Sequence, residues 1–234
     1  MNKGKLYLIP TILGENTQQA TLPVSILNHI KEIDVFIVEN LRTSRRHIKK
    51  IYPEKDIDST TFYAYGKHDT LNLEQDFLPH ILNGKNVGLL SEAGLPCIAD
   101  PGSKIVEYAH DFRIDIVPLV GPSSILLALM ASGMNGQNFA FTGYLPIDKN
   151  ERINTLRHLE SLAKKTGQTQ IFMETPYRNH QLFDSILKCC NNNTRLCIAS
   201  DITLPTEKIK TKTIIEWKQT TIDIHKKPTI FLIA

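Results

Sequence analysis

Short apolar runs alternate with longer amphipathic stretches through the first half of the chain. Residues 5–9, 35–38 and 87–90 are apolar runs of strand length, and 60–63 and 115–117 are weaker ones. Between them Leu22, Ile26, Leu27 and Ile30 recur at helical spacing, and 41–51 reads as a second helix. Leu71, Leu73, Phe77, Leu78, Ile81 and Leu82 mark a third helix, and 103–109 a fourth. Strands that are apolar on both faces, each followed by a helix, predict a mostly parallel sheet covered on both sides. The Pro- and Gly-bounded segment 118–122 places a domain boundary, giving 1–118 and 119–234. Beyond it the spacing predicts an apolar helix over 123–132, opened by serine and closed near Gly133. A strand at 139–143 and an amphipathic helix at 151–165 follow, the helix with Ile153, Leu156, Leu159, Leu162 and Ala163 facing in. Then come a strand at 169–173, a helix at 178–190 and a strand at 195–199. Residues 208–213 and 229–233 come with little helix between them, which predicts an antiparallel ending and a mixed second sheet. The fold class is α/β, in two α/β domains.

Composition narrows the function. The chain of 234 residues is 41% hydrophobic and 22% charged, a globular balance that excludes disorder. Its 27 basic and 24 acidic residues leave a net charge of +3, which permits an anionic substrate without requiring nucleic acid. Cys97, Cys189, Cys190 and Cys197 form no CxxC pair, so neither a disulfide framework nor a metal site is expected. Reduced thiols fit a cytoplasmic protein. The N-terminal apolar run is too short for a signal segment, and no run approaches the ~18–20 residues of a membrane span.

In a parallel sheet ligands bind beyond the carboxyl ends of the strands. Those ends carry Pro10-Thr11, Glu39-Asn40, Ser91-Glu92-Ala93-Gly94, Glu174-Thr175-Pro176 and Ser200-Asp201. Four of these strands deliver a carboxylate, and the expectation is that all four reach one sheet edge. A single acid there is also what a helix dipole favours. The densest stretch is 91–102, where two glycines and two prolines make a rigid loop that exposes its backbone. It has neither the GxGxxG spacing of dinucleotide folds nor a P-loop, and the chain has no HExxH and no GxSxG. Gly121-Pro122-Ser123-Ser124 is a second candidate loop, its serines either simple caps or cofactor contacts. Arg42, Arg45, Arg46, Lys49 and Lys50 share one helix face, either a solvated surface or a grip for a phosphate backbone. His68 lies beside a candidate loop.

At 91–102, 121–124, Phe141-Thr142-Gly143-Tyr144-Leu145-Pro146 and Glu174-Thr175-Pro176-Tyr177-Arg178 the sequence resembles the tetrapyrrole methylase-like superfamily. Within it, the sequence is most similar to the ribosomal RNA small subunit methyltransferase I family. The resemblance runs in the same order over nearly the whole chain. It implies an S-adenosylmethionine-dependent methyltransferase of two α/β domains with the cofactor in the cleft between them. It also implies a homodimer that methylates a cytidine ribose 2′-hydroxyl in 16S ribosomal RNA of the small ribosomal subunit. The cofactor positions carried over are Pro10, Gly94, Leu95, Pro96, Ile98, Ser123, Ser124, Met173 and Thr229. Glu92, on the cofactor loop, is the expected general base, with Glu39, Glu174 and His68 as rivals, and Arg42, Arg45 and Arg46 are expected on the RNA backbone. The substrate side departs from the family pattern. EDTR is Glu39-Asn40-Leu41-Arg42 here, which loses the acid before the helix, and the RELTK-like segment is Ser200-Asp201-Ile202-Thr203-Leu204. Those departures leave two other readings open, methylation of a small tetrapyrrole-like acceptor and a non-catalytic cofactor-binding descendant.

Overall fold

The computed structural model describes residues 3–66 and 71–234. The chain divides into two compact units, Met1–Ser123 and Ser124–Ala234, so residues 119–123 count with the first.

In the first unit five strands are all parallel: β1 (Leu6–Ile9), β2 (Val35–Val38), β3 (Thr61–Ala64), β4 (Val87–Leu90) and β5 (Ile116–Pro118). Their order across the sheet is β3-β2-β4-β1-β5. Successive strand residues point to opposite faces, and here each face meets its own helices. Ile9, Phe36, Val38 and Leu90 pack with Ile26 and Ile30 of α2 (Ser25–Glu32) and Ile48 of α3 (Leu41–Ile51). Leu6, Val35, Ile37, Val87 and Leu89 pack on the other side with Ile81 of α4 (Leu78–Leu82) and Ile105 and Ala109 of α5 (Ser103–Asp111). A one-turn helix, α1 (Gln18–Thr21), precedes α2.

The single helix expected over 71–82 is instead a π-helical turn, Leu73–Phe77, followed by the short α4. Pro79 explains the break. It has no N–H to donate to the preceding turn, so a regular α-helical ladder cannot run through it.

In the second unit the strands are β6 (Phe139–Tyr144), β7 (Thr169–Met173), β8 (Arg195–Ser200), β9 (Lys208–Thr213) and β10 (Thr229–Ile233), in the order β6-β7-β10-β8-β9. Only β6 and β7 run parallel; the other pairs are antiparallel, as the closing strands predicted. One sheet face packs on α7 (Lys149–Thr166), α8 (Asn179–Cys189) and the short α9 (Ile214–Trp217) around Leu156, Phe172, Ile186, Phe231 and Trp217. The apolar helix α6 (Ser124–Ser132) packs against β8, β9 and β10. Among the described residues no helix is long and apolar enough to cross a membrane, and no group of His, Cys, Asp and Glu could hold a metal ion.

Candidate active site

Register fixes which residues meet at the carboxyl edge of the first sheet. Ile9 and Val38 both stand opposite Leu90, so the next residues along the three chains, Pro10, Glu39 and Ser91, emerge side by side. After β1 the chain turns to the face covered by α2 and α3, whereas after β4 it turns to the face covered by α5. Loops that diverge in this way leave a crevice between neighbouring strand ends.

Three loops are locked together there. Thr11 N–H donates to the Gly94 carbonyl at 2.8 Å. Gly94 has a φ of +74°, and a Cβ on it would stand 3.1 Å from Leu13 Cδ2 and 3.3 Å from the Pro122 carbonyl oxygen. A Cβ on Gly121 would stand 2.1 Å from Pro10 Cβ, inside any tolerable contact. The expected cofactor positions Pro10, Gly94 and Leu95 therefore meet around Gly121, with the loop backbones in close approach. Pro96 is buried in the same loop and Ile98 is half exposed. The loop is strained as well: Cys97 and Ala99 have φ of +68° and +63°, left-handed values that cost a side chain energy.

The carboxylates gather beside these loops. Glu92 N–H donates to Glu39 Oε2 at 3.2 Å, and the Thr43 hydroxyl lies 3.1 Å from Glu92 Oε1. Asp100, which sequence reasoning did not single out, joins them. Its half-buried carboxyl is pushed up to about 6, first by burial and then by the negative charge of Glu39, against a hydrogen bond from Ser91 that pulls it down; Glu92 adds a smaller repulsion. A carboxyl raised in this way beside two others is a candidate functional group.

The helix α3 supplies the cations. Asn40 caps it, its Oδ1 accepting from Arg42 N–H at 3.0 Å and Thr43 N–H at 3.2 Å. The amide thus keeps the cap although the charge of the family's acid is gone. The five cations are all exposed but do not act as one face. Arg46 and Lys50 line a pocket with Thr11 and Glu92, whereas Arg45 lies over the Phe62 ring and Lys49 donates to the Lys55 carbonyl. His47, hidden in the same basic run, faces that pocket; burial, with Lys50 adding repulsion, lowers its imidazole to about 4.

The expectation that four strand-end acids share one edge is corrected. Glu39 and Glu92 stand on the first sheet, Glu174 and Asp201 on the second. Glu174 is buried and bound to Arg178 Nη2 at 2.6 Å and to Thr175 N–H at 2.7 Å, so it is occupied structurally rather than poised as a base. Asp201 accepts from the Thr206 hydroxyl at 2.9 Å. Within the second unit Met173 and Thr229 lie at the ends of adjacent strands, Met173 opposite Ile230. The Thr229 hydroxyl donates to the Lys227 carbonyl and accepts from Asn179. Ser124 is the first residue of α6, and Ser123 immediately precedes it. His68 lies outside the described residues.

A family profile described as Tetrapyrrole (Corrin/Porphyrin) Methylases matches residues 19–217. The chain belongs to the tetrapyrrole methylase family. It is a methyltransferase. Relatives named ribosomal RNA small subunit methyltransferase I occur in Halalkalibacterium halodurans (30% identical, spanning 92% of this chain and 70% of the relative) and Bacillus subtilis (31%, 91% and 68%). A third, from Thermotoga maritima, is 33% identical over 75% of this chain and 73% of its own length. The crystal structure of the methyltransferase CobJ superposes with a TM-score of 0.63 at 15% identity, covering 99% of this chain and 94% of that one. At that identity the likeness speaks for the methylase fold alone.

Proposed function

We propose that this tetrapyrrole methylase transfers a methyl group from S-adenosylmethionine to a ribose 2′-hydroxyl of 16S ribosomal RNA, acting in the cytoplasm as a homodimer. The observation that carries the reading is Glu92, which stands beside Glu39 and a pocket edged by Arg46 and Lys50, on the 91–102 loop that we assign to the cofactor. The full-length relatives named for ribosomal RNA supply the substrate class.

The residues present fit the cofactor. Gly94 and Gly121 hold three loops so closely that a Cβ on either would collide or press on its neighbours, so these positions admit main chain only. We assign Pro10, Gly94, Leu95, Pro96 and Ile98 to it, with Ser123, Ser124, Met173 and Thr229. When bound, S-adenosylmethionine supplies a methyl group on a positively charged sulfur, already activated for in-line displacement. The chain then has two tasks, orientation and removal of one proton. Glu92 accepts the proton that the ribose hydroxyl loses as its oxygen forms the new bond to carbon. Glu39 fixes the Glu92 main chain through its N–H, and Thr43 orients its carboxylate. His68 remains the second candidate acceptor. Arg42, Arg45 and Arg46 hold the phosphate backbone.

The test is transfer of tritiated methyl to small ribosomal subunits from cells lacking the modification. Label is expected in 16S RNA, and it should fall at least a hundredfold in Glu92→Gln, the usual scale for a lost general base, while calorimetric binding of the cofactor is unchanged. Label confined to a small acceptor, or full activity in Glu92→Gln, would overturn the proposal.

A further inference from the structure

Cys189 and Cys190 are neighbours in the chain and in space, and the proposed methyl transfer uses neither. Cys189 is the last residue of α8, and Cys190 follows it with its N–H donating to the Ile186 carbonyl at 3.0 Å. The two sulfurs stand 3.9 Å apart, within hydrogen-bond reach for thiols. Their surroundings differ. Cys190 belongs to the buried core that holds Phe183, Leu196 and Trp217, whereas Cys189 is half-buried and packs against that core from outside.

The two thiols are driven apart in acidity. With the proton kept on the buried sulfur, Cys190 S–H donates to Cys189, and that bond draws the Cys189 thiol below its ordinary value against the effect of burial. The guanidinium of Arg157 on α7 helps, and Glu160 opposes it. Glu160 is itself occupied, accepting from Asn191 N–H at 2.7 Å and from the Thr194 hydroxyl. The Cys190 thiol is pushed up, by the same bond and by burial. Arg157 also lines an open cavity of about 450 Å³ with Lys164 and Asn191, the residue next to the pair, so small solutes reach this corner of the second unit. A partly exposed thiol that ionises readily, in contact with one that does not, is the arrangement of an attacking and a resolving cysteine. Cys97 is the contrast. It too is half-buried, but burial and the charge of Asp100 push its thiol up.

We propose that Cys189 and Cys190 form a reversible oxidation site for a hydroperoxide, with Cys189 attacking and Cys190 resolving. The Cys189 thiolate attacks one peroxide oxygen. The O–O bond breaks, and the departing oxygen takes up a proton and leaves as an alcohol, or as water from hydrogen peroxide. The sulfur then carries the other oxygen as a sulfenic acid. The Cys190 sulfur gives up its proton and attacks the Cys189 sulfur. The S–S bond forms as the S–O bond breaks, and hydroxide leaves with that proton as water. Two thiols and one hydroperoxide thus give one disulfide, one alcohol and one water. Cys190 need meet only its neighbour and never the oxidant, so its burial suits the resolving role. Adjacent Cα atoms lie about 3.8 Å apart, closer than in ordinary disulfides, so the product is strained and a small thiol reopens it readily. A transient bond of this kind is what a reducing compartment allows.

The experiment treats the reduced full chain with one equivalent of hydrogen peroxide at pH 7, stops the reaction at intervals by alkylation, and reads each cysteine by peptide mass spectrometry. The peptide carrying both residues should lose two hydrogens at least about tenfold faster than Cys97 or Cys197 reacts, and should regain them with dithiothreitol. In Cys190→Ser, whose hydroxyl still donates to Cys189, dimedone should trap a sulfenic acid at Cys189 that the parent does not accumulate. Cys190→Ala keeps the core apolar and should give the same adduct, with Trp217 fluorescence reporting the fold of both variants. Cys97 oxidised as fast as Cys189, a sulfenic acid persisting at Cys189 in the parent, or a disulfide joining two chains in place of the internal one would each overturn the inference. The ribosomal label assay reads the methylation separately.

Discussion

Replacing Asp100 by asparagine turns the crowding of carboxylates into a measurable stability. Asp100 is lifted from an ordinary 3.8 to about 6 by burial and by its acidic neighbours. The unfolded chain therefore ionises first as pH rises, so the folded state loses stability between 3.8 and about 6 and carries a constant penalty above that window. At about 1.4 kcal/mol per pH unit the ceiling is about 3 kcal/mol. The group is only half-buried, and solvent screening brings the expected effect down to about 1 to 1.5 kcal/mol. Asparagine still accepts from Ser91 but carries no charge. Asp100→Asn should therefore be more stable than the parent by that amount at pH 7.5, with the difference shrinking towards zero as the pH approaches 3.8. His47 titrates in an overlapping range with the opposite sign, since its lowered value costs stability as pH falls through 6.5 towards about 4. Comparing variant with parent at each pH cancels that contribution. The sole tryptophan, Trp217, is in the second unit, so its fluorescence serves as the control during urea unfolding. Amide hydrogen exchange along β4 reports the first unit. A gain of the same size at both ends of the pH range, or a variant less stable than the parent at pH 7.5, would refute the reasoning.

Gly121→Ala places a Cβ 2.1 Å from Pro10 Cβ and should destabilise the first unit by about 2 kcal/mol or more while weakening cofactor binding, read by calorimetry and hydrogen exchange. Ala99→Gly relieves a left-handed residue and should stabilise the same unit by about 1 kcal/mol, measured as a raised urea midpoint. Glu174→Gln leaves Arg178 without its buried partner and should lower the Trp217 unfolding transition by about 2 kcal/mol, yet leave the methyl-transfer rate within a few fold. Asn40→Ala should cost about 1 kcal/mol through the lost cap, and Asn40→Asp should not, as thermal melts would show.

The elements were legible wherever local pattern and local chemistry agreed. Helix α3 begins and ends where the sequence placed it, because Asn40 caps it and Ile48 faces the core. The 71–82 stretch kept helical periodicity through Pro79, and periodicity does not register a missing N–H. Glu39 and Glu92 were legible because each lies within two residues of the end of an apolar run. Glu174 and Asp201 satisfy the same rule, and no local signal says which sheet a strand joins. Asp100 was hidden for another reason. It lies eight residues past Glu92 and returns to the carboxylates through a loop with left-handed turns at Gly94, Cys97 and Ala99, which composition alone does not reveal. His47 sat inside a run of cations whose common face read either as solvated surface or as a grip for a phosphate backbone, and only the packed helix separates the side that meets the pocket from the side that meets Phe62.

The order β3-β2-β4-β1-β5 bears on how the chain is made. Strands β2 and β3 are neighbours in both sequence and sheet and can pair as soon as they emerge. Strand β1 cannot, because its partners Val87 and Ile116 lie far ahead of Leu6. At ribosomal speed roughly 5 to 20 s pass between synthesis of β1 and of β5. Until β4 is made, Leu6, Leu8 and Ile9 travel as an apolar strand with both hydrogen-bonding edges open, and until β5 is made one edge stays open, an invitation to pair with another nascent chain. The strand translated first is the one enclosed last, so the loop that carries Pro10 and Thr11 takes its place only when the rest of the first unit is already built.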